Sequence, residues 1–162
     1  MAVLFFLWRL FPKHPARPNI VLVVIDTLRA DHLPFYGYPK ETAPFLSELA
    51  AQGVVFEKAY AASSWTSPAT ASIFTSLYPF QHGVTMGLLL QKQLINKDQS
   101  IKVNRIPKEL TTLPEAFRIN GYRTFGVSDN FNISEGQGFG QGFDRLLGFS
   151  HRGGQFINEQ IL

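Results

Sequence analysis

Two short stretches of this chain hold side chains whose types and spacing suit chemistry. In "SSWTSPATASIFTSLYP", residues 63 to 79, Thr66 lies two residues before Pro68. Proline is favoured in the first turn of a helix, where its missing N–H is not needed. A hydroxyl at such a place sits beside unpaired backbone N–H groups and the positive end of the helix dipole. That setting favours an oxyanion or a phosphate-like group, and it makes Thr66 a candidate nucleophile. The alternative is that Thr66 or Ser67 is simply the N-cap, worth about 1 kcal/mol. In "PNIVLVVIDTLRADH", residues 18 to 32, Asp26 closes an aliphatic run. A carboxylate at the C-terminal edge of a parallel strand suits a hard cation, which prefers oxygen donors. An Asp there can equally cap the turn around Leu28 and Arg29. His82, in "YPFQHGV", is a candidate general acid, with a structural histidine as the alternative. Tyr36, Trp65 and Tyr78 read as wall or core residues.

The elements that must position these residues follow from the pattern of the chain. Ile20 to Ile25 is a continuous aliphatic run rich in β-branched residues, as expected of a strand covered on both faces. "TAPFLSELAAQG" predicts a helix with Thr42 as cap, Pro44 in the first turn and Gly53 as terminator. "VVFEKAYAA" reads as a second strand, and "PATASIFTSLYP" as a helix bounded by Pro68 and Pro79. Residues 85 to 107 are polar and irregular, and read as an insertion or loop. Thr112 and Glu115 have capping-box spacing, Gly121 ends that helix, and Tyr122 to Val127 form a third strand. "GGQFINEQIL" reads as the first turns of a further helix. The order predicts an α/β fold, parallel by the usual rule of connection. "GQGFGQGFD" neither follows a strand nor opens a helix, so it is not a dinucleotide fingerprint.

Composition narrows the function classes. The chain has 162 residues, 45% hydrophobic and 17% charged, enough for one core. The net charge is +3, and the 15 Lys and Arg residues are dispersed rather than clustered, so no nucleic-acid partner is expected. The absence of cysteine excludes disulfides, thiolate metal sites and a cysteine nucleophile. The N-terminal "MAVLFFLWRLFPKHPARP" carries an apolar run shorter than the roughly 20 residues of a membrane span. Its charge follows the run, the reverse of a secretory signal. Residues 1–17 read as an apolar, basic tail or anchor remnant, a candidate for membrane-surface association.

Taken together, "PNIVLVVIDTLRADHLPFYGYP", "TAPFLSELAAQGVVFEKAYAASSWTSPATASIFTSLYPFQHGV" and "FRINGYRTFGVSDN…GFGQGFD" resemble, in order and spacing, the N-terminal half of sulfatases, within the alkaline phosphatase superfamily. The resemblance spans residues 18–162 and implies a three-layer α/β/α sandwich with a mostly parallel central sheet, incomplete in this chain. It implies a sulfate or phosphate ester substrate and a divalent cation, commonly calcium, with manganese, magnesium or zinc as alternatives. Asp26 falls at the first metal ligand, and Thr66 at the nucleophile in the pattern Cys/Ser-x-Pro-x-Arg. On this reading the metal side of the site is Asp26, Thr27 and Thr66, and the catalytic side Thr66 and His82.

Three positions depart from the family pattern. Thr27 stands where many sulfatases have a second acid, and Thr70 where they have the Arg. "FGVSDNF" lacks the Lys and His that well-known members carry shortly after the equivalent of "GYRT". Sulfatases mature Cys or Ser to formylglycine; an unmodified threonine is what phosphotransferases of the same superfamily use. The expected activity is therefore metal-dependent sulfuric ester hydrolysis, with Thr66-based phosphoryl or phosphodiester transfer as one alternative and an inactive anion-binding module as another. Family habit places such proteins in the cell envelope, the periplasm or at a membrane.

Overall fold

The computed structural model describes residues 17–101, 104–150 and 152–161. The expectation for the N-terminal tail falls almost entirely on residues outside these. Contacts divide the chain into two compact units, Met1–Val54 and Val55–Leu162. No helix among the described residues is long and apolar enough to cross a membrane.

In the first unit, two 3-10 turns, Ala30–His32 and Pro34–Tyr36, lead into helix α1, Pro44–Gln52. Pro44 occupies the first helical position and Gly53 closes the helix, as the sequence predicts. Thr42 does not cap it; Ala43 does, and the Thr42 hydroxyl donates to the His32 carbonyl at 2.5 Å. The His32 and Tyr38 rings stack with centroids 4.9 Å apart, and Leu33 between them in sequence is buried.

The run Ile20–Ile25 does not form the expected strand: no described residue pairs with it, and its side chains are 51–83% exposed. Among the described residues, residues 54–62 do not form the expected strand either. A strand exists only through hydrogen bonds to a neighbour, which aliphatic composition alone does not supply.

The second unit is built on helix α2, Thr66–Thr75, and a single-turn helix α3, Pro79–His82, packed against it. Its core is Ala71, Val84, Ile106 and Phe139, with Phe74, Ile133 and Leu146 packed on it. Ser67, Ala71 and Phe74 follow the i, i+4, i+7 spacing of one helix face. Phe74 meets the Phe139 ring edge-on at 5.7 Å.

The stretch expected to be irregular instead contains helix α4, Leu88–Lys97. A reciprocal amide clasp ties this excursion together. The Asn104 N–H donates to Gln91 Oε1 at 2.8 Å, and Gln91 Nε2 donates to the carbonyls of Asn104 and Met86. Asn104 Oδ1 in turn accepts from the Thr85 and Met86 N–H groups.

Helix α5, Leu113–Ile119, follows and packs against α2. The Glu115 carboxylate reaches back to accept from the Thr112 N–H at 2.8 Å, the capping interaction its spacing predicts. At the other end the Gly121 N–H reaches the Arg118 carbonyl and the Tyr122 N–H the Phe117 carbonyl, with Phe117 and Tyr122 in ring contact. This is the Schellman arrangement, and Gly121 takes its left-handed position at φ 77°.

Strand β1, Phe125–Ser128, then pairs in parallel with strand β2, Arg145–Gly148, in the register Phe125↔Arg145 to Ser128↔Gly148. The parallel pair between helices makes this an α/β fold.

The glycine-rich link between the strands is a packing device. An added Cβ at Gly142 would lie 2.2 Å from the Glu115 nitrogen, so the link crosses directly over the start of α5. Thr112 and Thr124 donate from their hydroxyls to the Gln141 and Gly142 carbonyls and fasten it there. Helix α6, Gly154–Ile161, ends the described chain beside β1.

Candidate functional site

Thr66 is the first residue of α2, preceded by Trp65 in extended conformation, and Pro68 stands in the first turn as its spacing predicts. No side chain caps this helix. The Ser63 hydroxyl instead accepts from the Trp65 N–H at 3.2 Å, in the turn before it. Thr66 and Ser67 are therefore not N-caps but residues inside the helix, at its positive end. Thr66 is half-buried. Ser67 is fully buried, and among the described residues its hydroxyl has no hydrogen-bond partner. The sequence reading missed this orphan hydroxyl. Its only signal was the i, i+4 step to Ala71 on the core face. Thr70, one turn on from Thr66, is also buried.

Asp26 and Thr27 lie in the other unit, in a turn, with both residues exposed. Thr27 has φ 60°, a left-handed conformation that is a strained one for a β-branched residue. Its hydroxyl donates to the Asp26 carbonyl at 2.7 Å. Backbone strain of this kind costs about 1–3 kcal/mol and clusters at functional positions. Nearby Asp31 is engaged by Arg29 in a two-point ion pair, which holds its carboxyl below the usual carboxylate range.

The donors on offer do not by themselves fit a divalent cation. Among the described residues, no three His, Asp or Glu side chains converge. Asp26 brings one carboxylate and Thr27 one hydroxyl, whereas a hard cation takes about six to eight oxygens.

His82 ends α3 and is completely buried. The Val84 N–H donates to its Nδ1 at 3.0 Å, and its Nε2 lies 3.0 Å from Ser72 Oγ on α2. Burial pushes its pKa below the ordinary histidine value. At the C-terminal end of β1, Asp129 occupies the stretch where Lys and His are expected from the resemblance. Its carboxylate accepts from the Arg152 and Gly153 N–H groups at 2.8 and 2.7 Å, just ahead of α6.

The sulfatase family model matches residues 18–159. Human arylsulfatase A is 32% identical over 148 residues, covering 87% of this chain and 27% of that protein. A sulfatase from Formosa agariphila is 28% identical over 138 residues, covering 85% and 26%. The dog N-acetylgalactosamine-6-sulfatase is 30% identical over 108 residues, covering 67% and 20%. The chain thus spans about a quarter of the length of these curated relatives. The match covers both the Asp26 turn and the helix that Thr66 opens, and on its extent the chain belongs to the sulfatase family.

Proposed function

We propose that this chain carries the nucleophile side of an ester-cleaving sulfatase-family site, with Thr66 as the attacking residue. The observation that carries this reading is the start of α2. A threonine hydroxyl stands at the positive end of a helix that no described side chain caps, beside the buried hydroxyl of Ser67, which has no partner among the described residues. Such a terminus favours a tetrahedral anion such as a sulfate or phosphate ester. The Thr66 hydroxyl would give its proton to water as its oxygen bonds to the sulfur or phosphorus, and the alcohol oxygen would leave with the electron pair of the broken ester bond and take up a proton. A water oxygen would then bond to the sulfur or phosphorus, the Thr66 oxygen would leave and regain a proton, and the anion would be released.

Relatives named as sulfatases make sulfuric ester hydrolysis the first reading. Threonine at position 66 favours the second, phosphoryl or phosphodiester transfer, because this side chain reacts as an unmodified alcohol. A third reading, an anion-binding module without turnover, draws on the lack of a converging metal-ligand cluster among the described residues and on Thr70 in place of Arg.

Turnover of aryl sulfate, aryl phosphate and aryl phosphodiester substrates separates the first two readings. Loss of turnover in Thr66→Ala and Asp26→Ala supports either one, and activity that survives both changes ends them. Cation dependence is tested by thermal unfolding with and without calcium, manganese, magnesium or zinc. A Tm raised by a cation in the wild type but not in Asp26→Ala supports a metal at Asp26, since such stabilisation requires binding to the folded state. Anion binding with no response to any cation favours the third reading.

A further inference from the structure

One fully buried titratable group, His82, sits behind α2 and outside the proposed chemistry. Its protonation state follows from geometry. A ring nitrogen that accepts the Val84 N–H at 3.0 Å carries no proton, so the proton of the neutral ring is on Nε2. Nε2 faces Ser72 Oγ at 3.0 Å, so its N–H donates to that hydroxyl oxygen. Ser72 and His82 are therefore not a nucleophile and its base: the base nitrogen would have to accept the hydroxyl proton, and this one already holds its own.

We propose that His82 is a positioning residue, held as the neutral Nε2–H imidazole, which pins the second turn of α2 to the chain that follows α3. The ring spans two points: Ser72 in the second turn of α2 and the Val84 N–H beyond α3. Thr66 opens the same helix, so its direction is set by this brace. Only this last step rests on the proposed role of Thr66.

The surroundings favour the neutral ring. Helix α2 has no titratable side chain, and α3 has none besides His82. Helix α5, packed on α2, carries Glu115, engaged with Thr112, and Arg118, paired with Asp144 at 3.7 Å. The residues around Val84 in the core are Ala71, Ile106 and Phe139. Burial without a carboxylate partner disfavours imidazolium.

The test is nitrogen-detected NMR of the imidazole in the full chain, with amide hydrogen exchange on His82→Gln, His82→Asn and His82→Ala. The wild-type ring is expected to show Nε2 protonated and Nδ1 bare from about pH 7.5 to about pH 5.5, where an ordinary histidine titrates. His82→Ala is expected to lose about tenfold or more in protection at Ala69 to Ile73, with Ala116 on α5 as internal reference. Gln restores the donor and so recovers part of that protection; Asn restores only the acceptor for Val84. An Nδ1–H tautomer, formation of imidazolium within that pH range, or a loss in α5 equal to that in α2 overturns the proposal. Should His82→Ala fail to fold, the wild-type ring spectrum and the Gln and Asn pair still decide. Neither readout requires turnover, so failure of the ester reading leaves this result standing.

Discussion

Replacing Gly142 by alanine tests how the glycine-rich link holds the second unit together. Gly142 has φ +85°, and an added Cβ would lie 2.2 Å from the Glu115 nitrogen and 2.7 Å from the Pro114 carbonyl carbon. Both are backbone atoms of α5 and cannot rotate away. Gly83 separates the two costs, because it has φ +75° with nothing within 4 Å of its Cβ position. Gly83→Ala carries only the left-handed penalty of about 1–2 kcal/mol, offset by about 0.4–1 kcal/mol of unfolded-state entropy. A net loss of about 1 kcal/mol follows for that variant. Gly142→Ala adds overpacking of about 1–3 kcal/mol, for a total of about 2–4 kcal/mol. Gly148, in β2 with open space at its Cβ position, gives a control expected to be neutral or slightly stabilised. Urea unfolding of the three variants measures the differences from midpoint and slope. If Gly142→Ala falls within about 0.5 kcal/mol of Gly83→Ala, the link does not press on α5 and the packing argument is wrong.

Further outcomes follow from the same structure. Phe139→Ala, at the centre of the core, should lose about 3–5 kcal/mol by urea unfolding, and a loss below about 1 kcal/mol would show that the site is not packed. The Asp144 carboxyl is held below its ordinary value first by the Thr124 N–H and then by Arg123. Its contribution is therefore present above about pH 4 and lost as pH falls further, so wild type and Asp144→Asn should converge in stability at low pH. His82 has the opposite charge type: as pH drops below about 6.5 the unfolded chain takes up a proton that the buried ring resists. Wild type should thus lose stability toward acid over a range where His82→Gln does not, and parallel pH profiles would contradict this. Thr27→Asn should stabilise the first unit by relieving the φ 60° backbone, since Asn tolerates that region better, with the gain read by hydrogen exchange at α1.

Much of the second unit was legible because its signals are local. The Thr112–Glu115 spacing, Gly121 and the Phe117–Tyr122 pair each specify a hydrogen bond or ring contact within a few residues, and each forms. The strand Phe125–Ser128 overlaps the expected Tyr122 to Val127, starting three residues later and ending one later. Its partner, Arg145–Gly148, was missed because four residues carry too little alternation to read. Helix α4 was missed for a different reason. Its fold-back depends on Gln91 and Asn104, polar residues whose value lies in a mutual clasp across thirteen positions. The aliphatic run at 20–25 shows the reverse error: its composition asks for a sheet, but pairing is a property of two segments.

In the site, Pro68 correctly announced the start of α2, which placed Thr66 at its positive end. Composition did not reveal that the Ser67 hydroxyl would be buried with no partner among the described residues. Nor did it reveal that His82 would face inward with both ring nitrogens engaged.

The most direct test of the central claim is ester turnover by wild type and Thr66→Ala side by side, across aryl sulfate, aryl phosphate and aryl phosphodiester substrates. Wild type is expected to cleave at least one class, and Thr66→Ala to fall to background on that class. Cleavage by Thr66→Ala at the wild-type rate of any class that wild type cleaves contradicts Thr66 as the nucleophile, and anion binding without cleavage by wild type favours the binding-module reading.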